Sequence, residues 1–261
     1  MNFPAGRLTA PLALVAAAAF GCNDVAGPNS VAALDFQGVA FPAIATGDTL
    51  RNADGVATAL TAVAYGGNGN PIVGAPIEYL TLDTGVTISP AGFVVASRRS
   101  GAIRLIASVG GLQSPIRTID VTREPDTTFA VGDTTVNYSY ALPDVPANVT
   151  PALQVALRSS DTTDGLTPNV KGWLIRWRII HAGDTLAPTD TTLVALWAPG
   201  GTRHSLLDTT KADGNAARRL RVYASALPAA TDSFIVIGEV RSRGVQVPGS
   251  PLRFVVHVST P

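Results

Sequence analysis

The stretch Val170-Lys171-Gly172-Trp173-Leu174-Ile175-Arg176-Trp177-Arg178-Ile179 alternates large apolar side chains with polar ones. One parity holds the apolar side chains Trp173, Ile175, Trp177 and Ile179. Arg176 and Arg178 have the other parity. Because successive side chains of a β-strand point to opposite faces, this period of two predicts a strand with one buried face and one solvent-facing side. Burying side chains of this size contributes roughly 1.5–3 kcal/mol each, so we expect this strand to organise a core.

The rest of the chain after residue 30 likewise consists of short apolar runs separated by turns. The chain of 261 residues contains 25 glycines and 19 prolines, and no stretch has the pattern of an amphipathic helix. Alternating runs such as residues 103–109 are separated by turn clusters such as residues 66–71. We predict an all-β fold of two tandem β-sandwich domains, residues 31–123 and 129–261, joined by a short, stiff linker at residues 124–128. Residues 182–212 have no clear place in this scheme and are interpreted as an inserted hairpin or a long loop.

Several stretches, among them residues 170–177 quoted above, resemble parts of bacterial immunoglobulin-like domains of the invasin and intimin type. Gly69-Asn70-Pro71-Ile72-Val73-Gly74-Ala75-Pro76-Ile77-Glu78-Tyr79 resembles their G-N-P-V-x-G-x-x-V-x-W turn and strand, with Tyr79 in place of the tryptophan. Residues 91–96 and then Gly101-Ala102-Ile103-Arg104-Leu105-Ile106-Ala107 are similar to the run that leads into their last hairpin, and Asp213-Gly214-Asn215-Ala216 to their D-G-x-A stretch. The resemblance implies immunoglobulin-like sandwiches with cell-surface and adhesion roles.

The N-terminus predicts export. An apolar run at residues 8–20 follows Arg7 and is too short to span a bilayer, which is typical of a signal peptide. Ala19-Phe20-Gly21-Cys22 resembles the cleavage site of bacterial lipoproteins, which implies removal of residues 1–21, lipidation of Cys22 and a tether at residues 22–30. The alternative is an ordinary signal peptide cut after Ala17-Ala18-Ala19. With lipidation, we expect the chain in the outer membrane or at the cell surface rather than in the inner membrane.

Composition and motifs exclude several classes of function. The formal net charge is zero and only 15% of residues are charged, which disfavours nucleic-acid binding. His181, His204 and His257 are scattered, and the nucleophile-elbow, zincin and phosphate-loop motifs are absent. The repeated Asp-Thr-Thr motif has isolated aspartates, which indicates turns rather than calcium sites. We therefore expect no enzyme, no cofactor and no metal.

One surface is a candidate for binding. If the second domain follows the family's strand order, one sheet face presents the aliphatic side chains Ile235, Ile237 and Val255. The same face carries the arginines Arg176, Arg178, Arg241 and Arg253. Such a mixed patch can bind an anionic polymer or a neighbouring domain. The alternative is a solvated sheet face balanced by acids such as Glu239.

These observations favour a membrane-anchored, non-catalytic lipoprotein. It would act as an interaction, adhesion or structural module, with the membrane as one partner and a protein or polysaccharide of the cell envelope as another. The alternative is a carbohydrate- or polymer-binding accessory lipoprotein that works with a separate enzyme or transporter. For that role Trp197 and Tyr223 are the candidate aromatic platforms.

Overall fold

The computed structural model describes residues 30–97, 100–161 and 167–261, and these residues are almost entirely strands and turns. The first domain contains β1 (Val31–Gly38), β2 (Ala43–Ala45), β3 (Thr61–Gly66), β4 (Glu78–Thr81), β5 (Val86–Ile88), β6 (Val94–Ala96), β7 (Gly101–Val109), β8 (Leu112–Gln113) and β9 (Arg117–Thr122). The predicted signal peptide, Cys22 and most of the tether lie outside the described residues. Within the described part of the chain, no helix is long and apolar enough to cross a membrane.

The second domain has more strands. They are β10 (Thr127–Val131), β11 (Thr135–Ser139), β12 (Leu153–Arg158), β13 (Leu174–His181), β14 (Asp184–Thr185), β15 (Val194–Trp197), β16 (Leu207–Thr209), β17 (Asn215–Val222), β18 (Thr231–Glu239), β19 (Arg241–Ser242), β20 (Val245–Gln246) and β21 (Leu252–Ser259). A single turn of 3-10 helix, Ala224–Ala226, follows β17.

Strand pairing in the second domain is that of an immunoglobulin-like sandwich. One sheet, called here the four-stranded sheet, has the order β10–β12–β17–β15. The other, the six-stranded sheet, has the order β11–β21–β18–β13–β14, with β16 also paired to β13. The chain leaves the first sheet after β10 and joins the second as β11, which runs parallel to β21. In immunoglobulin terms these are an A-B-E-D sheet facing a G-F-C sheet, which confirms the predicted fold class.

The first domain repeats this plan with fewer strands. Its main sheet has the order β2–β9–β7–β4, and β2 runs parallel to β9 as β11 does to β21. The opposite layer consists of the pair β1–β3 and the hairpin β5–β6. These two pieces are joined by a hydrogen bond from the Leu60 amide to the Gly92 carbonyl at 2.9 Å.

The core has the side chains that the alternating pattern predicted. Ile175, Trp177 and Ile179 point inward from β13, and each is at most 3% exposed. The facing strands supply further buried side chains, Phe234, Val236, Phe254, Val256 and Val258. Trp173 is also buried, although it lies one residue before the strand.

Two sequence interpretations change in detail. β10 begins at Thr127, so the last two residues of the predicted linker already belong to a strand of the second domain. Residues 182–212 are neither a simple hairpin insertion nor a long loop. They form β14 at one edge of the six-stranded sheet, cross to the four-stranded sheet as β15, and return as β16. Short strands among turn residues leave little periodic signal, which is why the sequence did not reveal them.

Candidate functional site

The four predicted arginines all belong to the six-stranded sheet or to the hairpin that follows β18. Strand register places Arg178 of β13, Ile237 of β18 and Arg253 of β21 in one cross-strand row. Arg176 lies beside Glu239 in the row nearer the first domain. Because neighbouring strands are about 4.8 Å apart, Arg178 and Arg253 are separated by roughly 10 Å across the sheet.

Glu239 lies close to two of these arginines. Its carboxylate lies 2.6 Å from Nε of Arg241 and 3.6 Å from a terminal nitrogen of Arg178. Partial burial alone raises the pKa of a carboxyl group, but the hydrogen bond from Arg241 and the charges of both arginines hold the pKa of Glu239 below its ordinary value. Glu239 is thus ionised and neutralises part of the predicted cationic face.

Arg176 is used differently, because it reaches the first domain. Its guanidinium lies 3.1 Å from the carboxylate of Asp54. Arg241 also borders the first domain, where it lines a small cavity with Phe41 and Ala53. Two of the four predicted residues therefore lie at the junction between the sandwiches.

Arg253 faces outward and forms no ion pair with any described residue. Ile237, between Arg178 and Arg253, is only 6% exposed although it lies on the outer face. Long arginine stems laid along an aliphatic neighbour produce this kind of burial while their charged heads stay in water. Arg178 and Arg253 are thus the part of the predicted face that remains open to solvent.

The junction has an apolar centre. Phe41 of the first domain packs edge-on against Trp173 of the second, with ring centroids 5.2 Å apart at 62°. The indole nitrogen of Trp173 donates a hydrogen bond of 3.0 Å to the carbonyl of Arg241. Both rings belong to a single cluster of buried apolar side chains that includes the cores of the two domains.

Two turns make backbone contact across the junction. Gly55 ends a tight turn in the first domain, and Gly244 lies in the β19–β20 hairpin of the second. Both have positive φ, 82° and 81°. A Cβ atom added to Gly55 would overlap the backbone nitrogen of Gly244, and one added to Gly244 would lie 2.9 Å from the carbonyl oxygen of Asp54. Only glycine permits this approach at both positions.

Charged groups surround this centre. Lys171 lies 2.9 Å from Asp120, and Arg243 lies 2.8 Å from Glu124 and 3.5 Å from Asp48. Arg123 is buried and donates to the Thr167 carbonyl at 2.7 Å. Each exposed pair stabilises by only about 0–1 kcal/mol, but together the pairs fix the orientation of two complementary surfaces.

A groove of about 650 Å³ opens beside the junction. Its polar lining includes Glu124, Asp126, Ser160, Ser242 and Gln246. Ser160 donates to Asp126, and Ser242 donates to Glu124 at 2.8 Å, so these carboxylates already have partners.

The histidines remain separate. His181 bonds to Asp232 at 2.9 Å and stacks on Phe234, whereas His257 bonds to Ser233 on the opposite face of the sheet. His204 contacts backbone groups. Among the residues that the structure describes, no three potential ligands are grouped to hold a metal ion.

The two candidate aromatic platforms, Trp197 and Tyr223, both lie close to Arg221, which was not among the residues predicted from the sequence. The guanidinium of Arg221 lies 5.8 Å from the ring centroid of Trp197 and 4.7 Å from that of Tyr223. Arg221 is buried and lies 2.7 Å from Asp144. The run Arg218-Arg219-Leu220-Arg221 on a strand was the available signal, since its alternating arginines must share one sheet face.

No protein-family model matches the chain, and no curated protein is significantly similar to it in sequence. Among solved structures, the Yersinia pseudotuberculosis adhesin InvE matches 82% of this chain and 56% of its own length, at 13% identity and a TM-score of 0.33. The Escherichia coli adhesin FdeC matches 86% of this chain and 63% of its own length, at 16% identity and a TM-score of 0.32. The D0-D1 domains of intimin match 86% of this chain and 98% of their own length, at 13% identity and a TM-score of 0.26.

These proteins are of the kind that the sequence resemblance named. The chain spans 56% of the length of the first of these proteins and 63% of the length of the second. At such identities and TM-scores the likeness carries no conclusion about function, and the fold rests on the strand pairing described above.

Proposed function

We propose that the chain is a lipid-anchored, non-catalytic module of the bacterial cell surface, held through Cys22 in the outer membrane. Its two sandwiches act as one stiff arm, and the outer face of the second domain meets a protein or polysaccharide of the envelope. The signal-like N-terminus, the lipobox resemblance at Cys22 and the two-domain architecture support this proposal.

The observation that carries the proposal is the junction. Two domains joined by a short linker normally move relative to each other unless the surface between them is large and apolar. Here an aromatic pair, a glycine backbone contact and several ion pairs oppose such motion. A fixed joint suits a spacer or adhesion arm, because it presents a binding face at a set angle and distance from its anchor.

The available part of the predicted face lies in the second domain. Arg176 is engaged by the first domain, and Arg241 by Glu239 beside the joint. An outside partner can still reach Arg178 and Arg253. Ile235 and Val255 lie on the same sheet face as these two arginines. An exposed arginine beside aliphatic side chains is common at protein interfaces.

The test is protease treatment of intact cells, with the protein followed by antibody. The unchanged chain is expected to be digested on whole cells. The Cys22→Ala variant is expected in the soluble fraction, while Cys22→Ala and unchanged chains purified side by side should have the same circular dichroism. Protection until the outer envelope is broken would contradict surface exposure, and membrane retention of Cys22→Ala would contradict the lipid anchor.

A further inference from the structure

The outer face of the four-stranded sheet carries a second surface, which the arginines of the six-stranded sheet do not share. On β17, Ala216, Leu220 and Val222 are buried toward the core, so Arg219 and Arg221 lie on the other side. Register places Trp197 of β15 directly opposite Arg219, and Ala195 opposite Arg221. Tyr223 follows at the end of β17. Trp197, Arg219, Arg221 and Tyr223 form what we call the tryptophan–arginine patch.

Arg221 fixes the two rings of this patch in place. It is 4% exposed, donates to the carbonyls of Asn148 and Val222, and pairs with Asp144. Asp144 in turn accepts hydrogen bonds from Asn148 and from the Ala224 amide. The cation beneath Trp197 and Tyr223 is therefore held on several sides, and both half-buried rings are held with it.

Arg219 has the opposite character. Its Nε donates to the Thr150 carbonyl at 2.8 Å, which orients the guanidinium. No carboxylate of the described residues forms an ion pair with it, and its two terminal nitrogens make no hydrogen bond there. Arg203, exposed and also without an ion pair among these residues, precedes His204, whose backbone bridges to Trp197. Since Asp144 balances Arg221 alone, the patch keeps a positive charge.

We propose that the tryptophan–arginine patch binds an acidic polysaccharide whose sugar rings carry carboxylate groups. A sugar ring stacks on the exposed part of the Trp197 indole, and a neighbouring carboxylate takes both terminal nitrogens of Arg219 in a bidentate pair. A planar, pre-oriented guanidinium loses little freedom on binding, which favours it over a mobile lysine. The proposal concerns binding chemistry and does not depend on how the chain is anchored.

The test uses the full chain, purified in mild detergent, and calorimetric titration with three polymers. Polygalacturonate offers sugars with carboxylates, dextran offers neutral sugars, and polyglutamate offers carboxylates without sugars. We expect binding to polygalacturonate, at least tenfold weaker binding to polyglutamate, and none to dextran. Arg219→Gln and Trp197→Ala should each weaken polygalacturonate binding about tenfold. Arg117→Gln should leave it unchanged, because Arg117 is an exposed arginine of the first domain whose guanidinium likewise donates to a backbone carbonyl, that of Phe36.

Several results overturn the proposal. They are no binding to polygalacturonate, equal binding to polyglutamate, full binding by both patch variants, or an equal loss of binding in Arg117→Gln, which would show that the effect is not specific to the patch. Circular dichroism of each variant verifies the fold, and the Arg219→Gln side chain is partly exposed, so that variant remains informative if Trp197→Ala misfolds. Surface location is measured separately on cells, so its failure and the failure of this proposal are distinguishable.

Discussion

A methyl group added at Gly55 should uncouple the two domains, whereas the same change at Gly47 should not. Both glycines lie in turns of the first domain, with φ of 82° and 75°. Each alanine therefore pays a similar cost of roughly 1–2 kcal/mol for a left-handed backbone. Only Gly55 faces the second domain, because a Cβ atom at Gly47 meets nothing within 4 Å.

The extra cost at Gly55 follows from the contact. A methyl carbon needs about 3.5 Å from a non-bonded atom, and at Gly55 it would overlap the Gly244 nitrogen, so the turns must separate by more than about 1 Å. That shift lengthens the 3.1 Å contact of Arg176 with the neighbouring Asp54 to the limit of an ion pair. Forcing atoms into a packed contact costs about 1–3 kcal/mol, so Gly55→Ala should lose about 2–5 kcal/mol in all.

The sequence offers a direct readout, because all three tryptophans lie in the second domain. Tryptophan fluorescence thus reports unfolding of the second domain, and circular dichroism reports both. In urea, the two signals of the unchanged chain should coincide, and Gly47→Ala should shift both together. In Gly55→Ala the fluorescence transition should separate from the dichroism transition. Equal, coincident shifts in the two variants would show that the Gly55–Gly244 contact does not couple the domains.

Three further results are expected. Phe41→Ala removes the ring that packs against Trp173, so it should lower the free energy of unfolding by about 3–5 kcal/mol and shift the tryptophan fluorescence transition in urea. Phe93 is 38% exposed in the same domain, so the control Phe93→Ala should lower the free energy of unfolding by under about 1 kcal/mol. Burial raises the pKa of Asp144, but hydrogen bonds from Arg221 and the Ala224 amide outweigh it and leave the pKa below the usual 3.8. The free energy that this carboxylate contributes to folding is therefore fully present above about pH 4 and is lost as the pH falls further. Between about pH 5 and about pH 3, the melting temperature of Asp144→Asn should fall less than that of the unchanged chain. Arg221→Gln should cost about 2 kcal/mol or more at pH 7, because it leaves Asp144 without its cation, and an unchanged melting temperature would contradict this.

The fold was accessible from sequence because its signal is local. The alternation around Trp177 needs only one strand to be recognised, and the buried face it predicts is the one observed. β15 and β16 were missed because each is at most four residues long, too short for a period of two to stand out among turns. The linker was also indicated by a local signal, Pro125 and its neighbours, which lie between the end of β9 at Thr122 and the start of β10 at Thr127.

The candidate site was only partly accessible, because its partners are distant in sequence. Arg176 and Asp54 are 122 residues apart, and no local pattern links an arginine on a strand to an aspartate in a turn of another domain. The sequence indicated only part of the tryptophan–arginine patch. Trp197 and Tyr223 were singled out as aromatics, but Asp144, which fixes Arg221 beneath them, comes from a loop 77 residues away. Residue type suggested the surface, and only the fold brought its members together.

The chemistry of the junction explains why the arginines of one sheet face are divided between the joint and solvent. A purely apolar joint would leave an aggregation-prone patch on each domain while the other was still folding. Arginine, with an apolar stem and a charged fork, covers aliphatic neighbours in water and pairs with carboxylates once the second surface arrives. The small aromatic contact of Phe41 with Trp173 then supplies burial, and the ion pairs supply orientation. The same property keeps Arg178 and Arg253 compatible with water where no partner domain covers them.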